Sequence, residues 1–318
     1  MTRPAEKVLV TGAGGFIGRE LCRQLAASGN SLVTLTRTPG SVADPVTNEF
    51  GTPDFSGDIC DRALLERAMD GVQVVYHLAG IAHVDSPDPE RLQTINTEGT
   101  RAVAQTAVRA GVRKVLYFSS SLAGAAETEK RNATAYGISK FQAEQCLLEI
   151  TLATETNAVI LRPVNVYGPG MKGNIAAMLR LIRRGLLPPL PKVDTRLSLI
   201  GLQDLCRAAQ LAATSSEADG KIWYVTDGLE YRLNEIEAAL YQTLGKKKPG
   251  WHSPRFVFFT AALLAGLVSR LSGGKASLGI RTYRNLISDN LFSSLPIRET
   301  LGFTPQQTFY TALPGLIR

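Results

Sequence analysis

The sequence lacks the features that would place it in several large classes of protein. Its four cysteines, Cys22, Cys60, Cys146 and Cys206, stand far apart along 318 residues. Zinc sites need closely paired ligands, so this spacing predicts no metal site and fits reduced thiols in a cytoplasmic protein. A strand-like run begins within a few residues of Met1, so we expect no signal peptide.

A long apolar run and a basic tail are also missing. The most apolar stretch, FVFFTAALLAGLV at 256–268, is too short for a transmembrane helix, which needs about 20 residues. We expect a packed helix there, with contact to a membrane surface or a partner as the alternative. The formal charge of +7 would suit nucleic acid, but the lysines of GKKKPG at 245–250 form an isolated cluster. Without a basic stripe interleaved with aromatic residues, we expect no nucleic-acid partner.

The sequence does contain an alternation of short β-branched runs and amphipathic segments. KVLVTGA, SLVTLTR, VQVVYHLAG, RKVLYFSSS and NAVILRPVNVYG predict strands, and helical periodicity lies between them. This alternation predicts an α/β fold, a Rossmann-type doubly wound parallel sheet. We expect a dinucleotide-binding domain over 1–170 and a smaller, mostly helical substrate lobe over 171–318. The looser pattern after residue 170 indicates an interleaved lobe that returns one or two strands to the sheet.

The turn VTGAGGFIG follows the first predicted strand and opens a helix. Gly12 permits a tight turn, Gly15 lets the backbone approach a pyrophosphate, and Gly18 lets the helix pack close to the strand. The helix N-terminus offers amide groups and the positive end of its dipole to an anion. The turn therefore predicts a dinucleotide site formed by Gly12, Gly14, Gly15, Phe16, Ile17 and Gly18.

The second predicted strand lacks the acidic residue that usually holds the ribose 2′-hydroxyl of NAD. In its place, LVTLTRTPG offers Thr36, Arg37 and Thr38. A guanidinium accepts a 2′-phosphate, so Arg37 favours NADP(H) as the cofactor, with NAD(H) as the alternative. The other interpretation is that Arg37 points to solvent and covers the adenine with its methylene stem.

The segment AYGISK places Tyr136 and Lys140 one helical turn apart on the same face of a helix. A free tyrosine has a pKa of about 10 and is a poor proton-transfer group at neutral pH. We expect the Lys140 ammonium to lower the pKa of Tyr136 toward the working range. A hydroxyl from the strand end YFSSS would hydrogen-bond the reacting oxygen, and Ser120 and Ser121 are both candidates. These four residues form the predicted catalytic group.

The glycine spacing and the Tyr–Lys pair resemble the short-chain dehydrogenase/reductase superfamily, and the resemblance implies further cofactor contacts. Asp58 in GDICD resembles the acidic residue at the adenine edge, with a helix N-cap as the alternative. The resemblance also implies that HLAG at 77–80 lies under the adenosine, that Asn96 steadies the sheet, and that Lys140 holds the nicotinamide ribose. The cofactor residues implied beyond the glycine turn and Arg37 are Asp58, Ile59, Leu78, Ala79, Gly80, Asn96, Tyr136, Lys140, Pro163 and Val166.

Later motifs resemble the extended branch of this superfamily, which contains nucleotide-sugar epimerases, dehydratases and reductases. LRPVNVYGPG at 161–170 implies that Asn165 contacts a sugar diphosphate. The arginine of DTRLSLIGLQDL implies that Arg196 grips the diphosphate, which suits a guanidinium fork, although a surface arginine is the alternative. His83 resembles a histidine near the sugar, with an ordinary loop histidine as the alternative. The implied substrate residues are His83, Ser120, Asn165, Asn174, Arg196 and Arg284.

Two segments depart from the pattern of that branch. AGAAE follows the serines where Val-Tyr-Gly is usual, and SDNLFSSLPIRETLGF lacks the usual Asp and Lys before LGW. We therefore expect the loop over the sugar to differ from that of the branch. The resemblance is weaker in the C-terminal lobe than in the cofactor half.

The resemblance extends to a bacterial surface-polysaccharide subgroup often labelled UDP-glucose 4-epimerase. That subgroup includes the 4-reductases of UDP-4-keto-6-deoxy-N-acetylglucosamine, also called UDP-N-acetylquinovosamine dehydrogenases. Arg37 favours a reductase, because a 4-ketoreductase consumes and releases NADPH at each turnover, whereas a 4-epimerase retains its NAD. The alternatives are a UDP-sugar 4-epimerase with tightly bound NAD and a non-catalytic NADP(H)-binding sensor. A 4,6-dehydratase is disfavoured, since Ser121 and Leu122 stand where its Asp-Glu pair is usual. The resemblance also implies a nucleotide-sugar substrate and a homodimer.

Overall fold

The computed structural model describes residues 6–39, 54–82, 88–128, 133–257, 259–260 and 287–317. Two predicted substrate residues, His83 and Arg284, lie outside these ranges, as do residues 258 and 261–268 of the apolar run. Within the described ranges, no helix is both long enough and apolar enough to cross a bilayer.

Ten strands form two sheets in the described part of the chain. They are β1 (Lys7–Thr11), β2 (Ser31–Thr36), β3 (Asp54–Ser56), β4 (Val74–His77), β5 (Lys114–Phe118), β6 (Asn157–Pro163), β7 (Asn165–Tyr167), β8 (Arg196–Gly201), β9 (Ile222–Val225) and β10 (Glu230–Arg232). Seven of them form one sheet in the order β3-β2-β1-β4-β5-β6-β9, and all neighbouring pairs are parallel. This sheet confirms the predicted Rossmann-type fold. The strand order reverses between β1 and β4, and ligands of such folds bind at the carboxyl ends of the strands there.

The first helix shows how an amphipathic sequence explains packing in this fold. In α1, the buried positions Gly18, Leu21, Cys22 and Leu25 recur at helical spacing, so that one face packs inward. The helices are α1 (Phe16–Ala27), α2 (Arg62–Ala68), α3 (Pro89–Leu92), α4 (Gly99–Arg109), α5 (Ser121–Thr128), α6 (Ala135–Thr151), α7 (Asn174–Arg184), α8 (Leu202–Thr214), α9 (Leu233–Thr243), α10 (Leu295–Leu301) and α11 (Phe309–Leu316). A π-helical turn, Gln93–Glu98, joins α3 to α4.

The chain divides into two units. Unit 1 comprises Met1–Val164, Leu202–Val225 and Ser294–Thr304. Unit 2 comprises Asn165–Gly201, Thr226–Ser293 and Pro305–Arg318. The chain passes from one unit to the other several times, so neither unit is a single stretch of sequence.

The core of unit 1 lies around the seven-stranded sheet. Leu9, Val75 and Val115, from three adjacent strands, are fully buried. Strands buried on both faces have continuous apolar sequences rather than alternating ones, which explains runs such as KVLVT and KVLYF. This core fixes where each strand ends, and the motif residues follow directly after those ends.

Unit 2 contains the three-stranded sheet, in the order β10-β8-β7. β7 and β8 are parallel, whereas β10 runs antiparallel to β8. Its core contains Tyr167, Leu199, Tyr231 and Phe309, together with the inner faces of α7, α9 and α11. The unit therefore has a small sheet as well as the helices that the sequence predicts.

Candidate active site

The glycine turn after β1 has the geometry that the sequence predicts. Gly12 has a φ of +70°, and a Cβ there would lie 2.7 Å from the Ala79 amide nitrogen. The Gly15 amide donates to the Gly12 carbonyl at 2.9 Å, and a Cβ on Gly18 would overlap that same carbonyl. Gly15 is the N-cap of α1, and no side chain caps the helix. The exposed amide end of α1 and the turn before it fit a pyrophosphate.

The segment after β4 lies against this turn. The Ala79 amide donates to the Thr11 hydroxyl at 3.2 Å, and the Leu78 amide donates to the Thr11 carbonyl at 3.2 Å. These bonds join the carboxyl ends of β1 and β4, where a dinucleotide binds in this fold. Leu78, Ala79 and Gly80, three predicted cofactor residues, therefore lie beside the glycine turn.

Asn96 connects the loop after β4 to α6. Its Oδ1 accepts from the Ile81 amide at 2.7 Å, and its Nδ2 donates to the Ile81 carbonyl at 3.2 Å and to Ser139 Oγ at 3.0 Å. A Cβ on Gly80 would lie 2.8 Å from Asn96 Oδ1, so this position also requires a glycine. Asn96 lies in the π-helical turn, a feature that the sequence analysis missed and that often marks functional sites.

Tyr136 lies in the first turn of α6. The N-cap of this helix is Thr134, whose hydroxyl accepts from the Gly137 amide. The Tyr136 side chain is buried, and its hydroxyl is near enough to the Ser120 side chain for the serine to lower its pKa. Of the two predicted serines, Ser120 therefore contacts the tyrosine, whereas Ser121 is buried at the start of α5.

The pKa of Tyr136 moves in the direction opposite to our prediction. Burial raises the pKa of Tyr136 to about 12, and the interaction with the Ser120 side chain lowers it by less. The predicted lowering by Lys140 is therefore wrong for this structure. The reason is that desolvation of the phenolate outweighs the favourable interactions around it.

Lys140 lies one turn further along α6 and is buried. Its Nζ donates to the Phe118 carbonyl at the end of β5 at 2.7 Å, and lies 4.3 Å from the centroid of the Tyr117 ring. Burial lowers the pKa of Lys140 to about 7, and the Glu144 carboxylate opposes that shift. The side chain is thus held at the end of β5, next to the loop that follows β4.

His77 is a buried site residue to which the sequence analysis gave no separate role. Its Nδ1 is 2.8 Å from the Thr11 hydroxyl and its Nε2 is 3.0 Å from the Thr100 hydroxyl, and its ring stacks on Tyr117. Burial, with a smaller contribution from Lys140, lowers the pKa of His77 to about 3. A histidine that ends an apolar strand was the sequence signal for this neutral, buried ring.

The predicted adenosine residues lie after β2 and β3. Arg37 is exposed immediately after β2. Asp58 is exposed, and its Oδ1 accepts from the Cys60 amide at 2.9 Å. Our alternative, that Asp58 is a helix N-cap, is wrong, because Asp61 caps α2 by accepting from the Leu64 amide. Ile59, beside Asp58, is buried.

The predicted substrate residues that the structure describes, apart from Ser120, all lie in unit 2. Asn165 is exposed at the start of β7, and Asn174 is exposed at the start of α7. Val166, a predicted cofactor residue, also lies in unit 2, whereas Pro163 ends β6 in unit 1.

Arg196 is already engaged by carboxylates. Its Nε and Nη2 donate to Asp289 Oδ2 at 2.9 and 2.7 Å, its amide donates to Asp289 Oδ1 at 2.8 Å, and its Nη1 donates to Glu230 at 3.1 Å. These contacts with Arg196 hold the pKa of Asp289 below its usual range. The sequence analysis missed Asp289, which lies in the segment that departs from the family pattern.

Together, the parallel sheet, the glycine turn and the tyrosine–serine pair at its carboxyl edge define a Rossmann-type dinucleotide-binding protein. The chain belongs to the NAD dependent epimerase/dehydratase family, whose model matches residues 8–225.

The matches to related proteins cover almost the whole chain. It is 28% identical to the UDP-glucose 4-epimerase of Vibrio cholerae over 95% of this chain and 92% of that protein. It is 29% identical to the ceramide reductase of Caulobacter vibrioides over 96% and 94% of the two chains. The crystal structure of gox2253 matches with a TM-score of 0.77, 26% identity, and coverage of 98% and 97% of the two chains. MoeE5 in complex with UDP-glucose and NAD shares the fold, with a TM-score of 0.74, 23% identity and coverage of 96% of each chain.

Proposed function

We propose that this protein is an NAD(P)-dependent oxidoreductase that acts at C4 of a UDP-activated sugar, and that it reduces a 4-keto-6-deoxy sugar with NADPH in surface-polysaccharide biosynthesis. The observation that carries the proposal is the burial of Tyr136 beside Ser120, with the buried Lys140 amine one turn further along the same helix. The assignment of 1–170 to the cofactor and 171–318 to the nucleotide sugar belongs to the same proposal.

The residues of unit 1 fit a nicotinamide dinucleotide. The amide end of α1 and the turn at Gly12 would hold the pyrophosphate, and Lys140 would hold the nicotinamide ribose. When bound, the cofactor supplies the hydride that C4 of the sugar exchanges. The chain itself supplies the proton and holds the oxygen on C4.

Tyr136 is the proton donor in this mechanism. Because burial raises the pKa of Tyr136 to about 12, its phenol keeps its proton at neutral pH. A protonated phenol can give that proton to the oxygen on C4 as the carbonyl becomes an alkoxide. Ser120, whose side chain lies near Tyr136, would donate to the same oxygen and stabilise its developing charge. This protonation state suits reduction, whereas oxidation of a hydroxyl requires a base at the start.

Arg37 supports NADPH rather than NADH as the reductant. It is exposed directly after β2, at the position where NAD-binding members of the fold carry a carboxylate. A guanidinium there can pair with a 2′-phosphate, and a carboxylate would repel it.

A UDP-sugar 4-epimerase is the second candidate. It is supported by the identity with the Vibrio cholerae UDP-glucose 4-epimerase over nearly the whole of both chains. In that reaction, Tyr136 would first remove the proton of the 4-hydroxyl, and the ketone would turn before reduction from the other face. The same enzyme would need its dinucleotide to remain bound between the two half-reactions.

Denaturing freshly purified protein and identifying the released nucleotide separates these candidates. A reductase releases little nucleotide, and the native protein then binds added NADPH with micromolar affinity. About one equivalent of NAD per chain would contradict the reductase and support the epimerase. A chain that binds NADP(H) but consumes none with any 4-keto nucleotide sugar would be a sensor, and both enzymatic proposals would then fail.

The expected cytoplasmic location and homodimer also belong to this proposal. Sedimentation equilibrium of the purified chain tests the dimer. A mass equal to that of one chain at micromolar concentration would contradict it.

A further inference from the structure

A fully buried carboxylate lies one helical turn beyond Lys140. Glu144, on the same face of α6, is 0% exposed. Its Oε2 accepts from Arg162 Nη2 at 2.6 Å, its Oε1 accepts from Arg162 Nε at 3.0 Å, and the Ser119 hydroxyl donates to Oε1. The mechanism above does not use this group. A buried charge costs free energy unless it is paired and hydrogen-bonded, as this one is.

Neighbouring strands hold Glu144 in place. Arg162 lies on β6, and its Nη1 also donates to Glu127 at 2.9 Å and to the Tyr224 hydroxyl at 3.4 Å. Ser119 follows β5 directly, and its amide donates to the Leu161 carbonyl of β6 at 2.8 Å. The carboxylate is therefore fixed by Ser119, directly after β5, and by Arg162, on β6. Phe118 ends β5 two residues before Ser120, and Pro163 ends β6.

Within the described part of the chain, the titratable groups near Lys140 other than Glu144 carry no negative charge at neutral pH. His77 on β4 is kept neutral by its lowered pKa, and burial raises the pKa of Tyr117 on β5. Tyr136, on the same helix as Lys140, has a pKa of about 12, so its hydroxyl is protonated and uncharged at neutral pH. Among the described groups that shift the pKa of Lys140, Glu144 is the one that raises it.

We propose that Glu144 is a positioning residue of the active site, which favours the ammonium form of the Lys140 side chain from within the core without contacting cofactor or substrate. Arg162 and Ser119 act through it, because they hold the carboxylate in the place from which its charge reaches Lys140. The inference rests on the proposed function for the role of Lys140, which would hold the nicotinamide ribose. The test measures the titration midpoint of Lys140 and requires no turnover.

The test is a pH titration of the lysine side chains by NMR, in protein labelled with ¹³C at lysine Cε. The Lys140 signal is assigned as the one that disappears in Lys140→Arg. In the parent protein we expect a midpoint of about 7, because burial opposes the charge. In Glu144→Gln we expect the midpoint to fall by about one to two pH units, the usual effect of removing one opposite charge.

Glu127→Gln is the matched control. Glu127 also binds Arg162, and its side chain is 47% exposed. We expect Glu127→Gln to leave the Lys140 midpoint unchanged. A midpoint that is the same in Glu144→Gln as in the parent overturns the proposal. A midpoint that falls equally in both variants also overturns it, because the effect would then come from disturbing Arg162.

If Glu144→Gln does not fold, the double variant Glu144→Gln, Arg162→Gln replaces it in the test. The double variant removes both charges of the buried pair, so that neither is left unpaired in the core. Because this variant also removes the Arg162 guanidinium, whose positive charge disfavours the ammonium, we expect a smaller fall of the Lys140 midpoint than in Glu144→Gln, and a midpoint that does not fall contradicts the proposal. Failure of the proposed function would show itself differently, as absence of NADPH and NADH binding to the parent protein. The lysine titration decides the role of Glu144 in either case.

Discussion

Two arginines summarise the contrast between the units. Arg162 in unit 1 and Arg196 in unit 2 each lie on a strand, and each binds two carboxylates. The Arg162 side chain is 5% exposed and that of Arg196 is 40% exposed. A buried ion pair is structural, because either charge left unpaired in the core would destabilise the fold. An exposed ion pair contributes little to stability and can exchange its partners for water or a ligand. The acid–base group of unit 1 is thus fixed by internal contacts, and the candidate substrate residues of unit 2 are accessible.

The largest effect is expected at Tyr136. Tyr136→Phe removes the proton donor, so kcat should fall by about 10³-fold or more, near the upper range for loss of an acid–base group. The affinity for NADPH should change little, because the cofactor contacts are made elsewhere. Arg196→Met, in unit 2, should raise KM for the nucleotide sugar and leave kcat nearly unchanged. Steady-state kinetics of both variants tests this division, and a large loss of kcat in Arg196→Met would contradict it.

The same two arginines should differ in their contribution to stability. Arg162→Met leaves Glu144 charged and buried without its partner, which we expect to destabilise the protein by about 3–5 kcal/mol. Arg196→Met breaks an exposed pair and should leave the unfolding midpoint almost unchanged. Urea unfolding of the two variants provides the measurement. Equal losses would mean that the contrast in burial does not govern the energetics.

The buried histidine gives unit 1 a pH dependence. The pKa of His77 is lowered from 6.5 to about 3 in the folded chain. The unfolded chain therefore binds a proton below pH 6.5 that the folded chain refuses until about pH 3, so stability falls as the pH drops through this window. His77→Gln should flatten the dependence by up to about 1.4 kcal/mol per pH unit. His252→Gln, at an exposed residue of unit 2, should not.

Thermal unfolding between pH 7 and pH 4 provides this comparison. An unchanged pH dependence in His77→Gln would show that other groups cause the acid sensitivity of unit 1.

The smallest effect is expected at Arg37. Arg37→Glu places a carboxylate after β2, where it should repel a 2′-phosphate and accept the ribose hydroxyl. The ratio of the NADPH and NADH affinities should shift toward NADH by about tenfold, which corresponds to about 1.4 kcal/mol. Fluorescence titrations with both nucleotides measure the ratio. An unchanged ratio would mean that Arg37 points to solvent, and the preference for NADPH would lose its support.

Much of unit 1 was predictable because strand–turn–helix geometry fixes its motif residues locally. Gly12, Gly18 and Tyr136 follow from patterns a few residues long, and the structure places each in the predicted element. Asp58 shows the limit even there, because two aspartates near one helix start both fit the pattern and Asp61 is the cap.

The remaining features depend on contacts between distant parts of the sequence. Glu144 and Arg162 are 18 positions apart, and Arg196 and Asp289 are 93 apart, so neither pair is visible in a local pattern. The pKa of Tyr136 depends on burial by surrounding elements, which explains why the direction predicted from Lys140 alone is wrong. The π-helical turn at Asn96 likewise has no signature in the sequence that we could identify.

The most direct test of the proposed function is to mix the protein with UDP-4-keto-6-deoxy-N-acetylglucosamine and NADPH, and to follow the absorbance of NADPH together with the sugar product. The account predicts that one NADPH is oxidised for each ketone reduced to a 4-hydroxyl, and that Tyr136→Phe abolishes nearly all of this consumption. Failure to oxidise NADPH, together with interconversion of C4 epimers of a UDP-sugar, would contradict the account.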